Sequence, residues 1–122
     1  MINQTVKPDE IVIVEDGPLT DELYAIVQEY KEKCSDLFKI VVSEKNIGLG
    51  LALNMGLEEC RNELVACMDT DDISKPDRCE KQLNVFEKNP ELSIVGAYVD
   101  EFVENYDEII STRTVPLSND EI

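Results

Sequence analysis

The strongest chemical signal in this chain is a group of carboxylates that directly follows an apolar run. Asp69, Asp71 and Asp72 come after residues 64–68 (LVACM). An unbroken apolar run of this length predicts a strand that is buried on both faces of a sheet. Asp69 and Asp71 are two residues apart, so in extended chain their side chains point the same way. Such a pair suits Mg²⁺ or Mn²⁺, with waters and a phosphate completing the coordination shell.

The same acidic residues also fit a second interpretation, an acidic loop that caps the next helix. Like charges crowded at the edge of a core are costly unless something positive lies beside them. This cost favours the metal site over the acidic loop.

The elements around the acidic group alternate between strands and helices. Strands are predicted at residues 11–14, 38–42, 64–68 and 93–97, and a hairpin at 98–103 and 108–114. Thr20 is expected to cap the first helix, which has one apolar face, and the second helix runs from Leu49 to about Cys60. Ser74 is expected to cap a third helix, with Pro76 in its first turn and Asn89 at its end.

This alternation predicts an α/β fold in which a mostly parallel sheet carries helices on both faces. Ligands of such sheets bind beyond the carboxyl ends of the strands. Glu15 and Asp16 end the first strand, and the acidic group ends the third. We therefore expect two separate elements to bring carboxylates to one edge of the sheet.

Composition narrows the classes of partner. The chain has 122 residues, enough for one domain, and its 11 basic and 27 acidic residues give a net charge of −16. A chain this acidic is expected to repel nucleic acids and anionic membranes, so metal is the expected mediator for a phosphate-bearing ligand. Four cysteines without CxxC spacing, in a chain without histidine, predict buried thiols in a reducing compartment.

Taken in order, the motifs resemble those of the inverting family 2 glycosyltransferases, which have the GT-A fold. The resemblance covers nearly the whole chain and is densest around the acidic group. The motifs that carry it are Gln4-Thr5, residues 13–17 (IVEDG), 44–50 (EKNIGLG), 52–56 (ALNMG), 68–72 (MDTDD), 76–78 (PDR) and 80–83 (EKQL). The resemblance implies a donor domain for a nucleotide-diphospho-sugar, expected to be a UDP-sugar.

The resemblance also implies a role for each matching residue. Asp16 corresponds to the carboxylate that accepts a hydrogen bond from the base, and Asn46 and Gly48 to the loop that closes over the nucleotide. Asp69 is expected near the ribose or the metal, and Asp71 on the Mn²⁺ or Mg²⁺ that bridges the diphosphate. A simple turn at Asp16 and a helix entry at Gly48 explain those residues nearly as well.

Two parts of the family pattern are missing. The family's first strand and helix would precede Gln4, and its general base would follow Ile122. We therefore expect residues 1–122 to form an incomplete GT-A domain, without a catalytic residue and without transfer activity of its own. Unpaired strand edges predict self-association. The expected setting of the full-length protein is cell-surface polysaccharide biosynthesis, in the cytoplasm or peripheral to the inner membrane face.

A receiver-type phosphoacceptor signalling domain is the main alternative. Its strands also end in paired acids and in a phosphate-accepting aspartate, as at Asp16 and Asp69. However, a receiver needs a lysine at the end of a late strand, and no lysine follows Lys88. A calcium loop is excluded, because the acidic group lacks the glycine and the distal glutamate of an EF-hand.

Overall fold

The structure, a computed structural model, describes residues 1–118. The chain divides into two compact units, Met1–Pro76 and a second one from Asp77 onward, and each is described by itself. The first unit contains β1 (Ile11–Asp16), α1 (Asp21–Lys33), β2 (Phe38–Ser43) and α2 (Leu49–Glu58). The second contains α3 (Arg78–Lys88), β3 (Val99–Glu101) and β4 (Ser111–Arg113).

A parallel pair of strands organises the first unit. β1 and β2 pair in register from Ile11 with Phe38 to Asp16 with Ser43. Both runs are rich in β-branched residues, which favour extended backbone. The predicted parallel pairing is confirmed, and it brings the carboxyl ends of the two strands to the same edge.

Helix α2 packs on this pair through two small residues. Ala52 and Gly56, four residues apart and therefore on one helix face, are the buried residues of α2. A Cβ atom at Gly56 would lie 2.9 Å from Cγ2 of Val14, so the helix backbone approaches β1 as closely as a glycine permits. Ala52 is the one buried apolar side chain among the described residues.

Helix α1 begins where the sequence predicts. Thr20 is the N-cap, and its Oγ1 accepts a hydrogen bond from the amide of Leu23 at 3.4 Å. Acidic residues in the first turn and lysines in the last complement the helix dipole. The predicted apolar face is nevertheless largely in solvent, with Ile26 52% and Tyr30 42% exposed.

The predicted buried strand at residues 64–68 is wrong. This segment has no regular secondary structure, and Leu64, Val65 and Cys67 are exposed. A strand is stable only when its amides and carbonyls pair with a neighbour. Within the described residues β1 pairs with β2 alone, so the apolar run has no ladder to join. The expectation of four buried thiols fails with it, since Cys67 is exposed and the other three are half-buried.

Helix α3 begins later than predicted. Asp77, not Ser74, is its N-cap, and Pro76 precedes the helix. Ser74 is engaged elsewhere, because its Oγ accepts a hydrogen bond from the side chain of Gln4 at 3.2 Å. The predicted helix end at Asn89 is confirmed.

The predicted hairpin is confirmed in a shorter form. β3 and β4 pair antiparallel from Val99 with Arg113 to Glu101 with Ser111. The predicted strand at residues 93–97 is wrong, since this stretch is irregular. The carbonyl of Val95 in this stretch instead accepts a hydrogen bond from Nε2 of Gln82 at 3.4 Å.

Two glycines of α2 provide a matched test of its packing. Gly56→Ala places a methyl group against Val14, and we expect it to lower the free energy of unfolding by about 1–3 kcal/mol. Gly50→Ala, in the same helix with open space around its Cβ position, should raise that free energy by about 0.5–1 kcal/mol. Urea unfolding followed by circular dichroism measures both changes. Equal stabilisation by the two variants would contradict the close packing of α2 on β1.

Candidate functional site

The carboxylate of Asp16 joins the end of β1 to the start of α2. Its Oδ1 accepts a hydrogen bond from the amide of Ile47 at 2.7 Å, and its Oδ2 accepts one from the amide of Gly48 at 3.1 Å. The carboxylate is half-buried and bonds both of its oxygens to residues more than thirty positions away. We call this pair of hydrogen bonds the Asp16 clasp.

The turn after β1 makes the Asp16 clasp sterically possible. Gly17 has a φ of +96°, a conformation that side chains strongly disfavour. A Cβ at Gly17 would also lie 2.9 Å from the amide nitrogen of Asn46, so the two backbones touch. Nδ2 of Asn46 in turn donates to the carbonyl of Asp16 at 3.4 Å. The β1 turn and the loop after β2 are therefore interlocked.

The Asp16 clasp also supplies a charge that α2 lacks. Gly48, with a φ of +87°, is the N-cap of α2 and offers no side chain to cap it. The first turn of α2 contains no acidic residue. The carboxylate of Asp16 lies at this N-terminus, where the helix dipole favours negative charge.

The structure therefore brings three of the predicted site residues together. Asp16, Asn46 and Gly48 lie at the carboxyl edge of the β1–β2 pair, connected by the hydrogen bonds above. Beside Gly48 there is open space, since a Cβ built there meets no atom within 4 Å. A ligand could approach the backbone at this point.

The acidic group lies in irregular chain and is open to solvent. Asp69, Asp71 and Asp72 are all exposed, and the amide of Asp72 donates to the carbonyl of Asp69 at 3.3 Å in a turn. Their side chains make no hydrogen bond or ion pair with the described residues. The carboxylates are thus available to an external ligand.

The carboxylates of the acidic group fit a divalent metal only if a bound ligand completes the coordination shell. Among residues 1–118, no group of three or more Cys, Asp or Glu side chains is arranged to hold a metal ion. Asp69 and Asp71 offer hard oxygen donors, which Mg²⁺ and Mn²⁺ prefer. An ion held here would take its other ligands from water and a phosphate group, as Mg²⁺ commonly does.

Both sides of the acidic group are anchored by residues that precede β1. Before the group, the carboxylate of Glu10 accepts from the amide of Arg61 at 2.6 Å and from Nε of Arg61 at 3.0 Å. The amide and then the guanidinium of Arg61 lower the pKa of Glu10. After the group, Nε2 of Gln4 donates to the hydroxyl of Ser74 and to the backbone carbonyl of Lys75. The sequence shows Gln4 only as part of a short family motif and gives no signal for Glu10, because the partners of both residues are distant and leave no local pattern.

Known proteins resemble this chain along its length. The protein family described as "Glycosyl transferase family 2" matches residues 1–120 of this chain. The amylovoran biosynthesis glycosyltransferase AmsE of Erwinia amylovora is 46% identical over 121 residues, which are 98% of this chain and 43% of that protein. The UDP-Gal:alpha-D-GlcNAc-diphosphoundecaprenol beta-1,3-galactosyltransferase of Escherichia coli is 37% identical over 115 residues, 94% of this chain and 41% of that protein. No solved structure gives a significant match.

The chain spans less than half the length of these curated relatives. The match over nearly all of its residues removes the receiver alternative. The α/β order with its parallel strand pair also agrees with the GT-A fold of the matched family. The chain belongs to glycosyl transferase family 2.

Proposed function

We propose that this domain binds a nucleotide-diphospho-sugar, with Mn²⁺ or Mg²⁺ between the diphosphate and the protein. The donor sugar would be carried by UDP, and the whole protein would transfer it with inversion to an acceptor hydroxyl. The Asp16 clasp carries the proposal, because it builds a polar corner at the carboxyl edge of a parallel strand pair. Ligands of α/β sheets bind at that edge.

The corner has suitable chemistry for a nucleoside. A carboxylate oxygen has more than one lone pair, so Asp16 retains acceptor capacity after binding Ile47 and Gly48. An imide N–H such as uracil N3–H is a matching donor. Asn46 and the open backbone at Gly48 would line the remainder of the nucleoside site.

Asp69 and Asp71 would hold the metal, with Asp69 also near the ribose. A diphosphate would otherwise meet a chain of net charge −16, and the electrostatic repulsion would oppose binding. When bound, the ion would act as a Lewis acid that neutralises the departing nucleoside diphosphate. The observation that supports this role is that both carboxylates are exposed and bind no other side chain or backbone group in the described part of the chain.

The names of the relatives support the wider setting. The Escherichia coli relative is named for a UDP-linked donor and a diphosphoundecaprenol acceptor, and AmsE for amylovoran biosynthesis. A lipid-linked acceptor places the reaction beside a membrane, so the proposal includes a cytoplasmic location peripheral to the inner membrane face. No helix within residues 1–118 is long and apolar enough to cross a membrane.

Calorimetric titration of UDP with and without Mn²⁺ tests the metal role. We expect binding to strengthen markedly with Mn²⁺, and Asp71→Asn to weaken the metal-dependent binding by at least about tenfold through loss of a charged ligand. Asp36→Asn is the matched control, because it makes the same charge change at the amino end of β2, away from the carboxyl edge. UDP binding of equal strength with and without Mn²⁺ would refute the metal site. An equal loss of UDP affinity in Asp36→Asn would refute it as well.

Comparing UDP with inorganic pyrophosphate, both with Mn²⁺, tests the base contact. Asp16→Asn keeps one side-chain oxygen as an acceptor and replaces the other with an NH₂ group. This donor would face a second donor, either a backbone amide or the base N–H. We expect UDP affinity to fall about tenfold, roughly the value of a hydrogen bond to a charged group. Pyrophosphate has no base, so its affinity should change little. Parallel losses for the two ligands would indicate that Asp16 does not contact the base.

Sedimentation velocity tests the proposed self-association. The outer edges of β1 and β2 have no ladder partner among the described residues, and free edges invite pairing with another chain. We expect the sedimentation coefficient to rise with protein concentration, and more so at high salt, which screens the repulsion between acidic chains. A monomer at all concentrations and salt levels would contradict this proposal.

A further inference from the structure

Gln4 is a buried polar side chain that the proposed function does not use. It is 5% exposed, although it lies in the irregular segment before β1. Its Nε2 donates to the carbonyl of Lys75 at 2.8 Å and to Oγ of Ser74 at 3.2 Å. These partners are 70 and 71 residues away, so the contact is purely tertiary.

A backbone hydrogen bond next to Gln4 strengthens the same connection. The amide of Thr5 donates to the carbonyl of Pro76 at 2.8 Å. Residues 4–5 are therefore joined to residues 74–76 by these two side-chain bonds and this backbone bond. We call these bonds the Gln4 tie.

The Gln4 tie lies directly after the acidic group. Only Ile73 separates Asp72 from Ser74, so a fixed Ser74 confines Asp71 to within about 10 Å of it by chain length alone. On the other side, Glu10 holds Arg61. The exposed irregular chain that contains the acidic group is thus fixed at both ends by residues that precede β1.

We propose that Gln4 is a positioning residue that presents Asp69 and Asp71 to the metal and diphosphate. This inference rests on the proposed function. Glutamine suits the task because its amide group donates two N–H bonds, one to a carbonyl and one to a hydroxyl. Glutamate would offer oxygens alone and face the carbonyl of Lys75 with negative charge. Leucine would fill the space and leave both acceptors without this donor.

The decisive comparison is Gln4→Leu against Gln28→Leu. Gln28 makes a side-chain hydrogen bond to Glu32 on the exposed surface of α1, so the control removes an amide of the same type away from the acidic group. Two quantities are measured for each protein: amide hydrogen exchange in residues 69–76, and the dissociation constant for UDP with and without Mn²⁺.

We expect Gln4→Leu to speed exchange in residues 69–76 and to raise the dissociation constant with Mn²⁺ about fivefold or more, the equivalent of one lost hydrogen bond. The dissociation constant without Mn²⁺ should change little, and Gln28→Leu should leave both measurements unchanged. If Gln4 served folding alone, Gln4→Leu would raise the dissociation constants with and without Mn²⁺ together. Such a parallel rise, or unchanged exchange in residues 69–76, would overturn the inference.

Ser74→Ala provides a second test if Gln4→Leu does not fold. Ser74→Ala removes the 3.2 Å bond between Gln4 and the Ser74 hydroxyl and keeps the bond to the carbonyl of Lys75. Faster exchange and weaker Mn²⁺-dependent binding should therefore both appear, but to a smaller extent. An Mn²⁺-dependent loss of affinity in Ser74→Ala supports the inference, and its absence refutes it. If the wild-type chain binds no UDP with Mn²⁺, the proposed function fails, whereas exchange in residues 69–76 still reports whether Gln4 holds that segment.

Discussion

The Asp16 clasp is the interaction on which the candidate site depends. Pairing in register sets Asp16 opposite Ser43, so the chain leaving β2 must pass the end of β1. The carboxylate captures two successive amides of that loop at the point where α2 begins. Gly17 permits the approach because it has no side chain to collide with Asn46. One side chain thereby orders a loop, completes a helix terminus and defines a polar corner.

Charge is the second constraint on the candidate site, and its effect at the acidic group differs from its effect at Asp16. The carboxylate of Asp16 is stabilised by two amides and a helix dipole, whereas Asp69 and Asp71 face solvent and their side chains have no hydrogen-bond or ion-pair partner within residues 1–118. In a chain with 27 acidic and 11 basic residues, unpartnered carboxylates are a disadvantage unless a cation is present. A metal-bridged diphosphate would resolve this repulsion and would connect the acidic group to the corner formed by Asp16.

The short segment before β1 contributes more to this arrangement than its irregular structure suggests. Gln4 and Glu10 lie within it, and each reaches across the unit to one side of the acidic group. The buried amide of Gln4 and the half-buried carboxylate of Glu10 both find partners, and these contacts fix residues 61 and 74–76 even though residues 64–68 form no strand. The acidic group is therefore held by tertiary hydrogen bonds and not by a sheet ladder.

Features that depend on neighbouring residues follow directly from the amino-acid sequence. It predicted β1, β2 and the start of α1 at Thr20, because strand propensity, turn residues and capping are local properties. The family was likewise predicted from the order and spacing of short motifs, and the comparisons confirmed it. Asp16, Asn46 and Gly48 are predicted as site residues in the same way, as members of those motifs.

Contacts between groups that are distant in sequence became visible only in the three-dimensional fold. Residues 64–68 and 93–97 have the composition of strands, but a strand also needs a partner ladder, and composition does not reveal whether one exists. Ser74 has the chemistry of a helix cap, yet its hydroxyl is taken by Gln4. The partners of the Asp16, Gln4 and Glu10 side chains lie 31 to 71 positions away, and hydrogen bonds over such separations follow from the fold because no local pattern encodes them.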